Sequence, residues 1–520
     1  MLDFTAMPTA LAVHEILNNY GIWVFSMLAT YALSLWWLQP PSTIPFFHDR
    51  KPGEFSFMNS KIRFLTSGAE VLKECQAKVF TLILGPSWVD SLETERRLVL
   101  PGEYTDELRN DPRFSHTKSL ELDWCTKLPG FQPFSNGSTH GKLVHDVVLR
   151  LTRALPQLTT TIREETALAI QKHWTDDEDW HDITLNSTMV QIIAQISARI
   201  FLGTGICRDQ RWIDTAIGYV EHSFHAIQAL QAWPRWCHRI VHWVLPGCRG
   251  QRAYFTRASE LLMPVILKRR QARAAAVAAG QHAMGDFLLL DYVEDIAAGP
   301  NYDPVVSQLG LSFAAIHTTS DLVGKVLVDL CRHPDLIPPL REEIISVIRD
   351  YGWQKTSFHK LKLLDSVMKE TQRLAPNMII TMRRVATEDV TLKDGTHIPR
   401  GTPVAISSSH MWEDSELYDN PDQYNGYRFV KWRETPGKES KAYMVTTSPD
   451  HVGFGHGSHA CPGRFFAVNE SKIVLCHLLL KYNWRLVDPE QPGFQIIGLF
   501  SHVNPMLKLQ IQRRKEEIPL

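Results

Sequence analysis

"HVGFGHGSHACPGRFFA", residues 451–467, holds four glycines, three histidines and one cysteine. Histidine and cysteine are common metal ligands, so zinc is the first chemistry to weigh. Structural zinc takes four ligands, often from paired Cys or His sets, and no second cluster in the chain matches this one. The glycines indicate close backbone approach to something flat or large. Cys461 is followed by Pro462, Gly463 and "RFFAVNESKIVLCHLLLKY" (464–482), an amphipathic helical pattern. Proline suits the first turn of a helix, so Cys461 is predicted at a helix N-terminus, where free N–H groups and the dipole stabilise a thiolate. The loop therefore reads as a thiolate site rather than a histidine one.

The rest of the chain is compatible with a large enzyme. It has 520 residues, 44% hydrophobic and 21% charged, and a formal net charge of −1. That length and composition support a large core. The charge balance gives no electrostatic footprint for nucleic acid. Fifteen Trp and 23 Phe would furnish a large apolar pocket. The eight cysteines are scattered without a CxxC pair, unlike a secreted disulfide scaffold. Helical periodicity runs from about 143 to 350, and strand-like segments such as 383–392, 397–409 and 505–513 are few and late. The prediction is a mainly α fold with small β-sheets, one domain over 60–520.

"FGHGSHACPG" (454–463) resembles the heme-binding loop of the cytochrome P-450 family, with Phe454, Gly457, His459, Cys461 and Gly463 at its fixed positions. The resemblance implies heme b as cofactor, Cys461 as the axial iron ligand and His459 on a heme propionate. His451 and His456 have no role in that pattern. Other family marks agree. Glu370 and Arg373 form a Glu-x-x-Arg pair, three apart on one helix face, and "PDQYNGYRF" (421–429) resembles the segment that supplies a third member, Arg428. Residues 303–335 read as one long helix, in which Ala314-Ala315-Ile316-His317-Thr318-Thr319 resembles the family's oxygen-activating stretch. Thr318 then takes the proton-delivering role, while His317 stands where the family has an acid; an imidazole relay and a merely packed histidine both stay open. Arg384 aligns with a propionate-binding position, with Arg383 as fallback. The family's early-helix Trp-x-x-x-Arg is missing, and His140, Lys142, His145 or Arg150 are the possible substitutes.

The N-terminus differs from the body. No Asp, Glu, Lys or Arg lies between Glu15 and His48, and residues 21–38 give about 18 mostly apolar positions, near transmembrane length. A cleaved signal peptide would carry positive charge before that stretch, whereas here Arg50, Lys51, Lys61 and Arg63 follow it. The expected order is a short tail (1–20), an anchor (21–38), a proline-containing linker (39–59) and the catalytic domain (60–520). The positive-inside rule faces that domain to the cytosol, which the resemblance places at the endoplasmic reticulum membrane, single-pass. The aromatic stretch 212–248 reads either as packed helical core or as an amphipathic roof touching the membrane.

The resemblance implies a heme-thiolate monooxygenase using O2 and, since no FMN, FAD or iron–sulfur motif is appended, electrons from a separate NADPH-cytochrome P-450 reductase. Arg464 and Lys472 are candidate contacts for it. Phe313, Ala314, Ile379 and Phe500 are expected to line an apolar pocket for a lipophilic substrate. The wording around "FAAIHTT" (313–319) resembles fungal enzymes of terpenoid, indole-diterpenoid and meroterpenoid secondary metabolism. The alternatives are an isomerase or dehydratase of the same family, an oxidase acting on a polyketide or alkaloid, and a heme protein that senses or carries ligands.

Overall fold

The structure is a computed structural model that describes residues 67–68, 70, 72, 80–83, 96–137, 141–231, 233, 235–280, 288–296 and 302–520. The expected tail, anchor and linker lie outside the described residues. Among the described residues no helix is long and apolar enough to cross a membrane.

The helices that position the site are α1 (His116–Trp124), α2 (Gly141–Trp174), α3 (Leu185–Leu202), α4 (Gln210–Gln231), α5 (Pro246–Ala278), α6 (Pro304–Arg332), α7 (Lys362–Leu374) and α8 (Arg464–Lys481). α6 runs through the middle, packed on α3, and α3 packs on α2, which packs in turn on α8. Its start is set by Asp303, whose carboxylate accepts from the N–H groups of Val305 (2.8 Å) and Val306 (3.2 Å), with Pro304 in the first turn. It ends before Pro334, where the residue preceding proline leaves the helical region. α6 is buried along most of its length, as a helix apolar on nearly every face must be.

A five-stranded sheet stands beside the helices in the order Phe80–Ile83, Arg96–Leu100, Pro403–Ser407, Ile380–Ala386, Phe114–Ser115. Only Arg96–Leu100 and Pro403–Ser407 pair in parallel. Between Thr381 and Arg384 the register slips, and Met382 takes a left-handed φ of 50°. Such a bulge re-aims the side chains that follow it, which matters for Arg384. A hairpin, Phe494–Ile497 and Phe500–Val503, lies against α6. The expected strand regions at 383–392, 397–409 and 505–513 each contain strand; those at 80–83, 96–100, 482–486 and 494–503 were not anticipated, being short and weakly alternating.

The aromatic stretch 212–248 divides between its two readings. Trp212 and Tyr219 on α4 are buried, while Trp233, Trp236, Ile240, Trp243 and Val244 beyond it are exposed.

α7 is buried from Leu363 to Arg373 although eight of its thirteen residues are polar. Glu343 caps it, accepting from the N–H groups of Leu363 (2.7 Å) and Leu364 (3.0 Å). Near its C-terminus Glu370 sits between two guanidinium groups, Arg373 at 2.9 Å and Arg428 at 3.0 Å, with Glu370 and Arg373 fully buried and Arg428 nearly so. Both arginines also donate to backbone carbonyls, Arg373 to Met411 and Pro421, Arg428 to Asp419, Asn420 and Gln423. Glu370→Gln leaves two buried cations without a counter-charge. It should cost about 3–5 kcal/mol, the usual loss on breaking a buried ion pair, read as a lower urea midpoint of unfolding.

Candidate active site

Cys461 lies between a short helical turn, Gly457–His459, and the first turn of α8, as its helix-start setting in the sequence requires. The loop closes on itself: the Cys461 N–H donates to the Phe454 carbonyl (2.8 Å) and the Gly455 N–H to that of Val452 (2.8 Å). Gly457 is obligatory here. Its φ is +83°, and a Cβ would fall 2.6 Å from the Arg109 Cβ. At Gly463, by contrast, a Cβ would meet nothing nearer than the Cys461 Sγ at 4.0 Å, so the space beside the sulfur is open. Burial pushes the Cys461 thiol up, and the backbone N–H groups of Gly463 and Arg464 with the Arg464 charge pull it back down.

Three polar side chains converge near this loop. His459 and His116 stand with ring centroids 5.1 Å apart, and an Arg384 Nη1 lies 3.3 Å from the His116 Nδ1. Arg384 is 2% exposed. The same Nη1 donates to the Arg383 carbonyl (2.8 Å), and burial alone pulls the Arg384 pKa down to about 10. Burial, and then Arg384, pushes His116 down to about 4 and lowers His459. No carboxylate partners Arg384 among its described bonds. Arg383, in contrast, is committed to Asp123 at 3.0 Å. His116 was not anticipated; nothing in "RFSHTKSLELDW" (113–124) marks it, since its neighbour His459 is far away in sequence. Of the early-helix candidates, Arg150 is exposed and lies over the Tyr292 ring at 5.1 Å, away from this cluster. The side chains of His140, Lys142 and His145 lie outside the described residues.

On α6, Ala314 and Thr318 are one turn apart and are the only exposed residues between Pro304 and Cys331. An opening in the middle of an otherwise packed helix marks a cavity on that face. The Thr318 hydroxyl donates to the Ala314 carbonyl at 2.7 Å, leaving its oxygen free to accept. Burial, and secondarily His502, pushes His317 down to about 4; its ring is held by the Ile217 backbone, and its Nε2 has no partner. Phe313 belongs to an aromatic wall with Trp124 (4.9 Å) and Phe134 (4.7 Å), and Phe224 extends it to Phe500 (5.5 Å). Ile379, expected on that wall, is fully buried in the sheet core instead. Arg464 and Lys472, expected as partner contacts, are engaged within the fold: Arg464 donates to the carbonyls of Val445 and Cys461, and buried Lys472 pairs with Asp365 at 2.6 Å.

These residues fit a heme. Buried Arg384, flanked by half-buried His116 and exposed His459, is a cationic site with no anion among its described bonds, and heme carboxylates would supply one. The space at Gly463 beside the Cys461 sulfur and the Ala314–Thr318 opening in α6 would leave room for it. Arg384→Met removes a charge-assisted contact worth about 1.5–3 kcal/mol. Heme transfer to apomyoglobin should then run at least about 10-fold faster, while Arg383→Met stays near the parent rate.

The chain matches the family description Cytochrome P450 over residues 99–512. It is 40% identical over 484 residues to cytochrome P450 monooxygenase ptmU of Penicillium ochrochloron, covering 92% of this chain and 94% of that one. It is 39% identical over 419 residues to fumitremorgin C monooxygenase of Neosartorya fischeri, covering 81% and 82%. The solved structure of retinoic acid bound cyanobacterial CYP120A1 superposes with a TM-score of 0.62 at 18% identity, over 87% of this chain and 96% of that one, which speaks to the fold. With its cysteine loop, buried Glu-Arg-Arg cluster and long central helix in place, the chain belongs to the cytochrome P450 family and is a heme-dependent monooxygenase.

Proposed function

We propose that this monooxygenase hydroxylates or otherwise oxidises a lipophilic secondary metabolite, of terpenoid or meroterpenoid type, with O2 and electrons from a membrane-bound NADPH-cytochrome P450 reductase. The observation that carries the substrate class is the apolar surround of the α6 opening, where Phe313, Trp124, Phe134, Phe224 and Phe500 form a continuous aromatic wall. Such a wall selects by shape and apolar area rather than by charge. Heme, when bound, supplies oxygen activation and insertion. Cys461 ligates it, and Arg384, His116 and His459 orient it by its carboxylates.

Proton delivery rests on Thr318. Its hydroxyl is anchored to the Ala314 carbonyl and faces the opening, so it can take a proton from water and pass it on at that oxygen. His317 is neutral across the physiological range, because its folded pKa near 4 lies below it, and its ring is turned toward α4. Thr318→Ala should divert electrons into peroxide, raising peroxide formed per NADPH several-fold, whereas His317→Gln should leave that ratio within about 3-fold, in keeping with general acid–base effects of about 10²–10⁴ for a true donor.

The decisive experiment is turnover in reductase-containing microsomes with a terpenoid panel, followed by mass spectrometry. NADPH-dependent oxygenated product is expected. Product formed without NADPH would favour the isomerase or dehydratase reading. Cys461→Ala should abolish the red-shifted Soret band of the ferrous–CO form, and a normal band in that variant would sink the ligand assignment.

Two features support a membrane setting. One is the apolar stretch at 21–38. The other is the exposed Trp233, Trp236, Ile240, Trp243 and Val244 patch, in which Trp236 and Ile240 are 74% and 71% exposed. No acidic residue occurs between Glu221 and Glu260, while Arg235, Arg239, Arg249, Arg252 and Arg257 do, a pattern suited to an anionic lipid surface. With residues 1–50 deleted, the remaining chain should still sediment with anionic vesicles at low salt, and Trp236→Ser with Trp243→Ser should release it.

A further inference from the structure

His317, Asp321 and Lys325 are four residues apart along α6 and so share one face. The lower two are charged and buried. Lys325 is fully buried and pairs with Asp321 at 2.6 Å. An ion pair in such a place is no gain in stability by itself, because its desolvation offsets most of its attraction. What distinguishes this one is where its remaining hydrogen bonds go. The Lys325 ammonium donates to the Ser501 carbonyl at 2.8 Å and reaches the Pro376 carbonyl and the Asn377 Oδ1, each at 3.5 Å. Asp321 accepts from the Val503 N–H at 2.8 Å.

The two segments held this way are also stitched to each other and to the catalytic turn. The Ser501 N–H donates to the Asn377 carbonyl (3.1 Å), and the Ile379 N–H to the Leu499 carbonyl (3.0 Å). Met378 and Phe500 form an isolated antiparallel bridge. The Asn377 amide donates to the Thr318 carbonyl at 3.1 Å. α6 approaches the hairpin so closely that a Cβ at Gly324 would lie 3.0 Å from the Val503 side chain. One end of this unit carries Thr318, and the other carries Phe500, which closes the aromatic wall against Phe224.

We propose that the Asp321–Lys325 pair is a positioning device that fixes segments 376–379 and 499–503 to the helix carrying Thr318, and thereby sets which bulky ligands the pocket accepts. Both residues are buried and act through these backbone hydrogen bonds. The selectivity half of this inference rests on the pocket assignment above; the mechanical half does not.

The test uses the full-length, heme-loaded enzyme and needs no known substrate. Lys325→Met leaves a buried carboxylate unpaired, so Asp321→Asn/Lys325→Met, which removes both charges, is made alongside it and carries the test if the single variant does not hold heme. Amide exchange by mass spectrometry should show segments 376–381 and 494–504 opening together, about 10-fold faster than in the parent, with 451–467 unchanged. Difference spectra should show clotrimazole, a bulky nitrogen ligand, bound about 10-fold more weakly, and imidazole, a small one, within about 2-fold. A heme-retaining variant in which the two segments stay protected, or open separately, overturns the positioning role. Equal weakening of imidazole and clotrimazole overturns the selectivity role. Failure to find oxygenated product from any terpenoid would strike the proposed function but leave the exchange result standing.

Discussion

The Glu370 carboxylate, shared by Arg373 and Arg428, is the contact on which the Cys461 side of the molecule depends. Three charges with almost no exposure hold one another only because every remaining donor finds a carbonyl in the 411–423 stretch; a half-satisfied cluster of this kind would be worse than an apolar core. The same helix, α7, continues the attachment along the chain toward Cys461. Lys369 donates to the carbonyls of Tyr443 (2.8 Å) and Thr446 (3.2 Å), and Gln372 meets His451 at 3.0 Å. Gly453 presses on the Gln372 side chain so closely that a Cβ there would lie 2.5 Å from it. One buried face of α7 thus pins the backbone from Met411 to Gly453, and Cys461 follows eight residues later. The thiol is placed by charge pairing remote from itself.

The sheet supplies the second constraint. A regular strand would alternate side chains between faces, and neighbouring Arg383 and Arg384 would simply oppose one another. The bulge at Met382 interrupts the pairing just before them. The outcome is a division of labour: Arg383 joins Arg97 around Asp123, and Arg384 is left as a buried cation with two imidazoles and no acid. A buried guanidinium without a counter-ion is costly, and the carboxylates of a bound heme would offset that cost. Apo protein and holo protein should therefore differ most at this end of the site.

What could be read from the sequence follows from how local each signal is. The Cys461 loop, the Glu370–Arg373 spacing and the long α6 helix are contiguous patterns, so residue order alone exposes them. Arg428 was reachable only through likeness to a known segment, because its partner Glu370 is distant along the chain. His116 carried no local mark; it gains meaning from standing 5.1 Å from His459. Ile379 packs in the sheet core for a related reason. It precedes a strand, and a shift of one position decides between pocket and core; Asn377, two residues earlier, reaches Thr318 instead. Asp321 and Lys325 look like an ordinary surface pair at helical spacing until the hairpin is laid over them.

The histidines of the loop illustrate the same point in the opposite direction. All three first read as metal ligands, and then, with His459 assigned to a heme propionate, His451 and His456 read as residues without a role; for these two neither description fits. His451 is buried against Gln372 and edge-on to Phe429 at 6.0 Å. His456 bridges Arg109 at 3.0 Å and the Thr447 hydroxyl at 3.1 Å, tying the loop to a segment more than 300 residues upstream. Burial lowers the pKa of all three loop histidines, with Lys369, Arg109 and Arg384 respectively adding to it. A neutral imidazole can both donate and accept, so His451 and His456 fasten the loop without adding another charge beside the thiol. Lysine in those positions would bring a charge and no acceptor, and leucine would bring no bond at all. Histidine is chosen here as a fastener that stays uncharged when buried, and that choice leaves the cysteine as the loop's only reactive group.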